Sequence, residues 1–191
     1  TASIKLVHLC AIEFDPACAE PWLRAAEAGL ARLDDVDAAA SRRELALARG
    51  DVALRAGDDD GALHHYQDAL ASLRASAVDH PVMEVVLLHA IAIAHAQAGR
   101  HEAALAALDT ADEIESRELG ERDTSRVMTL ELRAGSLYAL GRIDEARGAT
   151  EAALVNLDAA YGEGHPHAVR MRGNLVLLLL EAHELEAALA L

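Results

Sequence analysis

The chain has 191 residues, 52% of them hydrophobic and 26% charged, which is the composition of a folded protein and excludes a disordered one. Aromatics supply only 3% while alanine occurs 43 times, a balance that suits close-packed helices and argues against a β-sandwich. Lys and Arg number 17 against 32 Asp and Glu, so the net charge of −15 repels phosphate backbones and excludes nucleic acid as a partner.

Residues 1–41 are the least regular part. No basic region followed by an apolar stretch opens them, so no signal peptide is read. Cys10 and Cys18 are too few for a disulfide scaffold and lack metal-motif spacing, and they read as buried free thiols. That fits a cytoplasmic location, with an extracytoplasmic one left open. Asp15-Pro16 and Glu20-Pro21 are helix-start signals, since Pro suits the first turn. Trp22, Leu23, Leu30 and Leu33 then form one amphipathic face. The segment is expected to be a degenerate helix pair that begins the stack.

From residue 42 onward the chain repeats itself. Gly57, Gly99 and Gly141 stand 42 residues apart, and another 42 reaches His183. Five residues after each comes an alanine: Ala62, Ala104, Ala146 and Ala188. Ala69, Ala111 and Ala153 follow seven residues later. Apolar residues run at helical spacing on both sides of each glycine, as in Val85, Leu88, Ile91 and then Leu105, Leu108, Ile114. Each unit is therefore read as two helices. The glycine ends the first as a left-handed cap, and acids such as Asp58, Asp59 and Glu102 start the second, where the helix dipole favours them. His183 replaces glycine at the fourth cap and tolerates the left-handed region better than most residues.

Counted from Arg43, Val85, Val127 and Val169, the eighth residues are Gly50, Ala92, Ala134 and Val176. Alanine holds positions 20 and 27, with Tyr66 and Leu108 at position 24. This pattern resembles the tetratricopeptide repeat (TPR), whose usual unit is about 34 residues. The longer unit resembles the kinesin-light-chain type, on the turn Tyr161-Gly162-Glu163-Gly164-His165-Pro166 and, in part, Asp79-His80-Pro81. HEAT and armadillo repeats share a period of about 40 to 47 residues and are the rival, but the small residues at fixed positions favour the tetratricopeptide reading. The resemblance implies an all-α, right-handed superhelical solenoid of antiparallel helix pairs, about ten helices. Its units fall at about 43–84, 85–126, 127–168 and 169–191, the last truncated. It also implies that His80 and His165 hold their turns by hydrogen bonding.

No catalytic motif is present: no Gly-rich phosphate loop, His-Glu-x-x-His, Gly-x-Ser-x-Gly or kinase signature. The longest apolar run, Leu175 to Leu180, is six residues, far short of the roughly 20 a bilayer crossing needs. The histidines lack a shared face, so neither metal nor cofactor is implied. The remaining candidate is the concave face that the resemblance implies for the first helix of each unit. There it displays His89, Ile93 and Gln97, then Glu131 and Tyr138, then Arg170, Asn174 and Glu181. The paired Asn of kinesin-light-chain arrays is reduced to Asn174, and the carboxylate clamp of chaperone-binding arrays is absent.

The expected function is a non-catalytic protein–protein interaction module that binds a protein or peptide segment in that groove. With a net charge of −15, a basic partner is favoured. Alternatives are a sensor array closing on a small ligand or metal through His89, Gln97, Tyr138 and Arg170, and a self-association module. The helix from Glu184 to Leu191 cannot cover the last unit, so an exposed C-terminal end would offer a homodimer surface. The chain lacks an initial Met and stops within an expected helix, as a piece of a longer protein would. Its style resembles arrays attached to bacterial serine/threonine protein kinases, which implies a docking or regulatory region.

Overall fold

The computed structural model describes residues 7, 16–32, 35–78, 80–119, 125–162 and 164–190, and among these every regular element is a helix. The chain divides into two compact units, Thr1–Ala98 and Gly99–Leu191. The first holds α1 (Pro16–Leu30), α2 (Asp35–Arg55), α3 (Asp59–Arg74) and α4 (Pro81–Gln97). The second holds α5 (His101–Ile114), a π-helical turn (Glu115–Leu119), α6 (Ser125–Ala139), α7 (Ile143–Tyr161), α8 (Pro166–Glu181) and α9 (Leu185–Leu189). Within each unit every helix packs on the next in sequence, giving the antiparallel helix pairs of a TPR-like fold.

The 42-residue period is visible in the backbone. Gly57, Gly99, Gly141 and His183 all take positive φ, between 61° and 78°. At three of these caps the next amide closes a wide turn onto the ending helix. Asp58 donates to the Ala53 carbonyl at 2.9 Å, Arg142 to Leu137 at 2.9 Å and Glu184 to Leu179 at 2.8 Å. These bonds satisfy carbonyls the helix end would leave orphaned. His183 does the same with a Cβ in the left-handed region, at a cost glycine avoids. The following residues, Asp58, Arg100, Arg142 and Glu184, all serve as N-caps with φ near −90° and ψ between 58° and 74°. Only Asp58 caps with its side chain, accepting from the Gly61 amide at 3.0 Å.

The repeated alanines are buried, from Ala62, Ala104 and Ala146 at zero exposure to Ala188 at 8%. A methyl side chain there lets paired helices approach closely without leaving a void. In the first unit Gly50 on α2 makes room for Tyr66 on α3, since a Cβ at Gly50 would stand 2.2 Å from the Tyr66 ring. Tyr66 is buried, and its hydroxyl donates to Asp51 Oδ1 at 2.8 Å. In the second unit Leu157, Met171, Leu175 and Leu179 join α7 to α8 in one core. Each such side chain contributes about 1.5–3 kcal/mol by leaving water.

Several expectations are corrected. Cys18 is disulfide-bonded and no free thiol; Cys10, the only other cysteine in the sequence, lies outside the described residues. Pro16 starts α1, but Pro21 sits inside it near the first turn, where one internal hydrogen bond is forgone. The buried stripe of α1 is Ala19, Leu23, Ala26 and Leu30, with Trp22 exposed and Leu33 outside the described residues. His165 holds its turn as expected, its Nδ1 accepting from the His167 amide at 3.3 Å and its ring stacking on Tyr161. His80 sits at the N-cap of α4 but makes no such bond; Pro81 and the backbone start that helix. Asp79 and Glu163, read as turn residues, lie outside the described residues. The π-helical turn after α5 carried no sequence signal. It buries Glu115, whose Oε1 accepts from Thr129 Oγ1 at 3.0 Å, and burial pushes that carboxyl above its ordinary range.

Candidate functional site

The helices α6 and α8 run side by side in the second unit, with α7 behind them. Their facing sides bury Ala134, Met171 and Leu178, while Gly135, Asn174 and Leu177 stay exposed. Small residues on α6 opposite longer ones on α8 leave a groove of about 510 Å³, lined by Glu131, Ala134, Gly135, Tyr138, Thr150, Met171, Asn174, Leu177, Leu178 and Glu181. Thr150 is buried at its floor and is satisfied by its own helix, donating to the Ala146 carbonyl at 2.9 Å.

Two ties cross the groove, one near each end. At the first, Glu131 receives Arg170 on Oε1 at 3.0 Å and meets His167 Nε2 on Oε2 at 2.9 Å. At the second, the Tyr138 hydroxyl donates to Glu181 Oε1 at 2.7 Å. That bond and the charge of Glu181 push the Tyr138 hydroxyl above its ordinary pKa. The ties are seven residues apart on α6 and eleven on α8, or about 10 and 16 Å at 1.5 Å per residue. That is room for about three to five residues of extended chain.

Five of the eight residues expected on the concave face therefore meet in one place: Glu131, Tyr138, Arg170, Asn174 and Glu181. The other three lie on α4, in the first unit. Gln97 there is exposed and Ile93 half-buried. His89 is corrected: at 9% exposure it is a core residue, and desolvation lowers its pKa to about 4, so it carries a neutral ring. His167 is a partner of the groove's Glu131 that the sequence reading missed, because the two lie 36 positions apart and nothing local marks the pair.

Two further concavities compare poorly. Between α2 and α4 a cleft of about 190 Å³ is lined by Arg43, Glu44, Leu47, Met83 and Leu87, among others. A wider hollow of about 600 Å³ lies over α5, α6 and α7. Its arginines are engaged by its own acids, Arg133 with Asp109 at 2.6 Å and Arg142 with Glu145 at 2.6 Å. Among the described residues no three His, Cys, Asp or Glu gather as metal ligands, and no helix is long and apolar enough to cross a membrane.

Neither a protein-family model nor a curated protein matches the sequence. Solved structures do match in fold. The apo form of RapI is similar over 92% of this chain, with a TM-score of 0.77 and 16% identity, and the chain spans 46% of RapI. A putative kinesin light chain with nearly identical TPR-like repeats from Podosopora anserina matches 99% of this chain and 89% of its own, at a TM-score of 0.74 and 18% identity. The Rap conjugation gene regulator of the plasmid pLS20, in complex with the Phr* peptide, matches 99% of this chain and 60% of its own, at 0.67 and 15%.

Proposed function

We propose that this chain is a non-catalytic protein–protein interaction module that holds a short extended segment of a partner in the groove between α6 and α8. The observation that carries the reading is the groove itself. It has an apolar floor, exposed Leu177 and Asn174 at its edge, and ends fixed by cross-helix hydrogen bonds. Apolar surface supplies affinity, while placed polar groups set register. That a neighbour in fold, the pLS20 regulator, is in complex with a peptide supports the same reading. The net charge of −15 favours a basic partner, with affinity falling as salt rises. A docking or regulatory region of a larger protein, such as a bacterial serine/threonine kinase, is the setting this function suits.

The test is affinity capture from source-cell lysate, wild type against Tyr138→Ala with Asn174→Ala and against Leu177→Lys. A protein held by wild type and released by both variants supports the groove. Equal retention by all three refutes it. The groove volume of about 510 Å³ also lies in the range of small-molecule sites, which favours a ligand sensor as the second reading. A rise in Tm with a small molecule, abolished by Leu177→Lys, would select that reading.

A further inference from the structure

The two carboxylates of the groove are electrostatically unlike. Glu131 is half-buried and already spent: Arg170 occupies one oxygen and His167 the other. Glu181 is exposed and accepts only a neutral hydroxyl, that of Tyr138. Among the described residues it has no cationic partner. The tyrosine fixes the carboxylate without neutralising it, so part of the entropy of holding that side chain is spent before any ligand arrives. Beside it runs apolar surface, with Leu177 at 61% exposure and Leu178 in the floor. A Lys or Arg side chain suits this combination, since its aliphatic stem lies along apolar surface while its head reaches a carboxylate.

We infer that the groove selects a peptide bearing one Lys or Arg beside an apolar residue, with Glu181 receiving the cation and Tyr138 positioning Glu181, while Glu131 takes no part in the selection. This rests on the groove reading above and specifies its partner chemistry. An acidic residue at the same place would face Glu181 with no cation between them, so acidic segments are rejected there. Glu131 serves as a structural tie between α6 and α8.

The experiment is selection of a displayed library of random 12-residue peptides on the full chain. It is run in parallel on Glu181→Gln, Glu131→Gln, Tyr138→Phe and Leu177→Lys, each checked for unchanged helical circular dichroism. Wild type is expected to enrich peptides with a basic residue next to an apolar one. Glu181→Gln should bind those peptides about fivefold more weakly, as the loss of an exposed ion pair implies, and should no longer enrich the basic residue. Tyr138→Phe should weaken the same preference partially, and Glu131→Gln should retain it. Groove-dependent peptides without a basic preference, or a preference lost in Glu131→Gln and kept in Glu181→Gln, would overturn this inference and leave the groove reading standing. Peptides that bind Leu177→Lys as well as wild type would overturn both.

Discussion

Gly50 gives the sharpest mechanical prediction, because helix propensity and packing oppose each other there. Replacing a glycine inside a helix by alanine ordinarily stabilises by about 0.5–1 kcal/mol, by reducing the freedom of the unfolded chain. In Gly50→Ala the new Cβ would stand 2.2 Å from Tyr66 Cε1 and 2.5 Å from Cδ1. The ring cannot easily retreat, being 1% exposed and tied through its hydroxyl to Asp51 at 2.8 Å. Overpacking of this kind costs about 1–3 kcal/mol, so the net result is a loss of about 1–2 kcal/mol. Gly148→Ala is the matched control, since a Cβ there meets nothing within 4 Å and only the gain remains. Urea unfolding followed by circular dichroism reads both, as opposite shifts of midpoint at unchanged slope. A midpoint for Gly50→Ala at or above that of wild type would refute the packing argument.

Three other predictions follow from the same physics. His183→Gly relieves a Cβ at φ 61° and should stabilise by about 0.5–1 kcal/mol net of unfolded-state entropy, read as a higher midpoint. His89, with its pKa lowered to about 4 by burial, stays neutral in the fold while the unfolded chain takes up a proton below 6.5. Stability should therefore fall as pH drops from 6.5 towards 4, by at most about 3 kcal/mol, and the slope over that window should flatten in His89→Leu. Glu115 works in the opposite sense: its folded pKa is raised above 4.5, so its contribution is intact below that value and lost as pH rises. Glu115→Gln should thus raise the unfolding midpoint at pH 7 and leave it unchanged at pH 3.5.

Some of this molecule was readable because particular backbone positions demand particular residues. A left-handed cap selects glycine, so the 42-residue spacing of Gly57, Gly99 and Gly141 located the helix ends and even His183. Close helix contact selects alanine, which located the buried positions from Ala62 to Ala188. The register of the repeat that the sequence resembles put Glu131, Tyr138, Asn174 and Glu181 on helix faces that line the groove, with Arg170 bonded to Glu131 beside them. Whether a residue at such a register is exposed was another matter. His89 and Tyr138 were both assigned to the concave face, yet one is 9% and the other 47% exposed, because burial depends on what packs opposite. His167 and Arg170 find Glu131 across 36 and 39 residues, a distance over which a single sequence carries no pairing signal.

The central claim is that a partner segment lies between α6 and α8. Hydrogen exchange of the full chain, with and without a peptide enriched by the library selection, tests it directly. Slowed exchange concentrated in residues 130–139 and 170–182, and absent in Leu177→Lys, is the predicted result. Protection confined to α2 and α4, or spread evenly over both units, would contradict it.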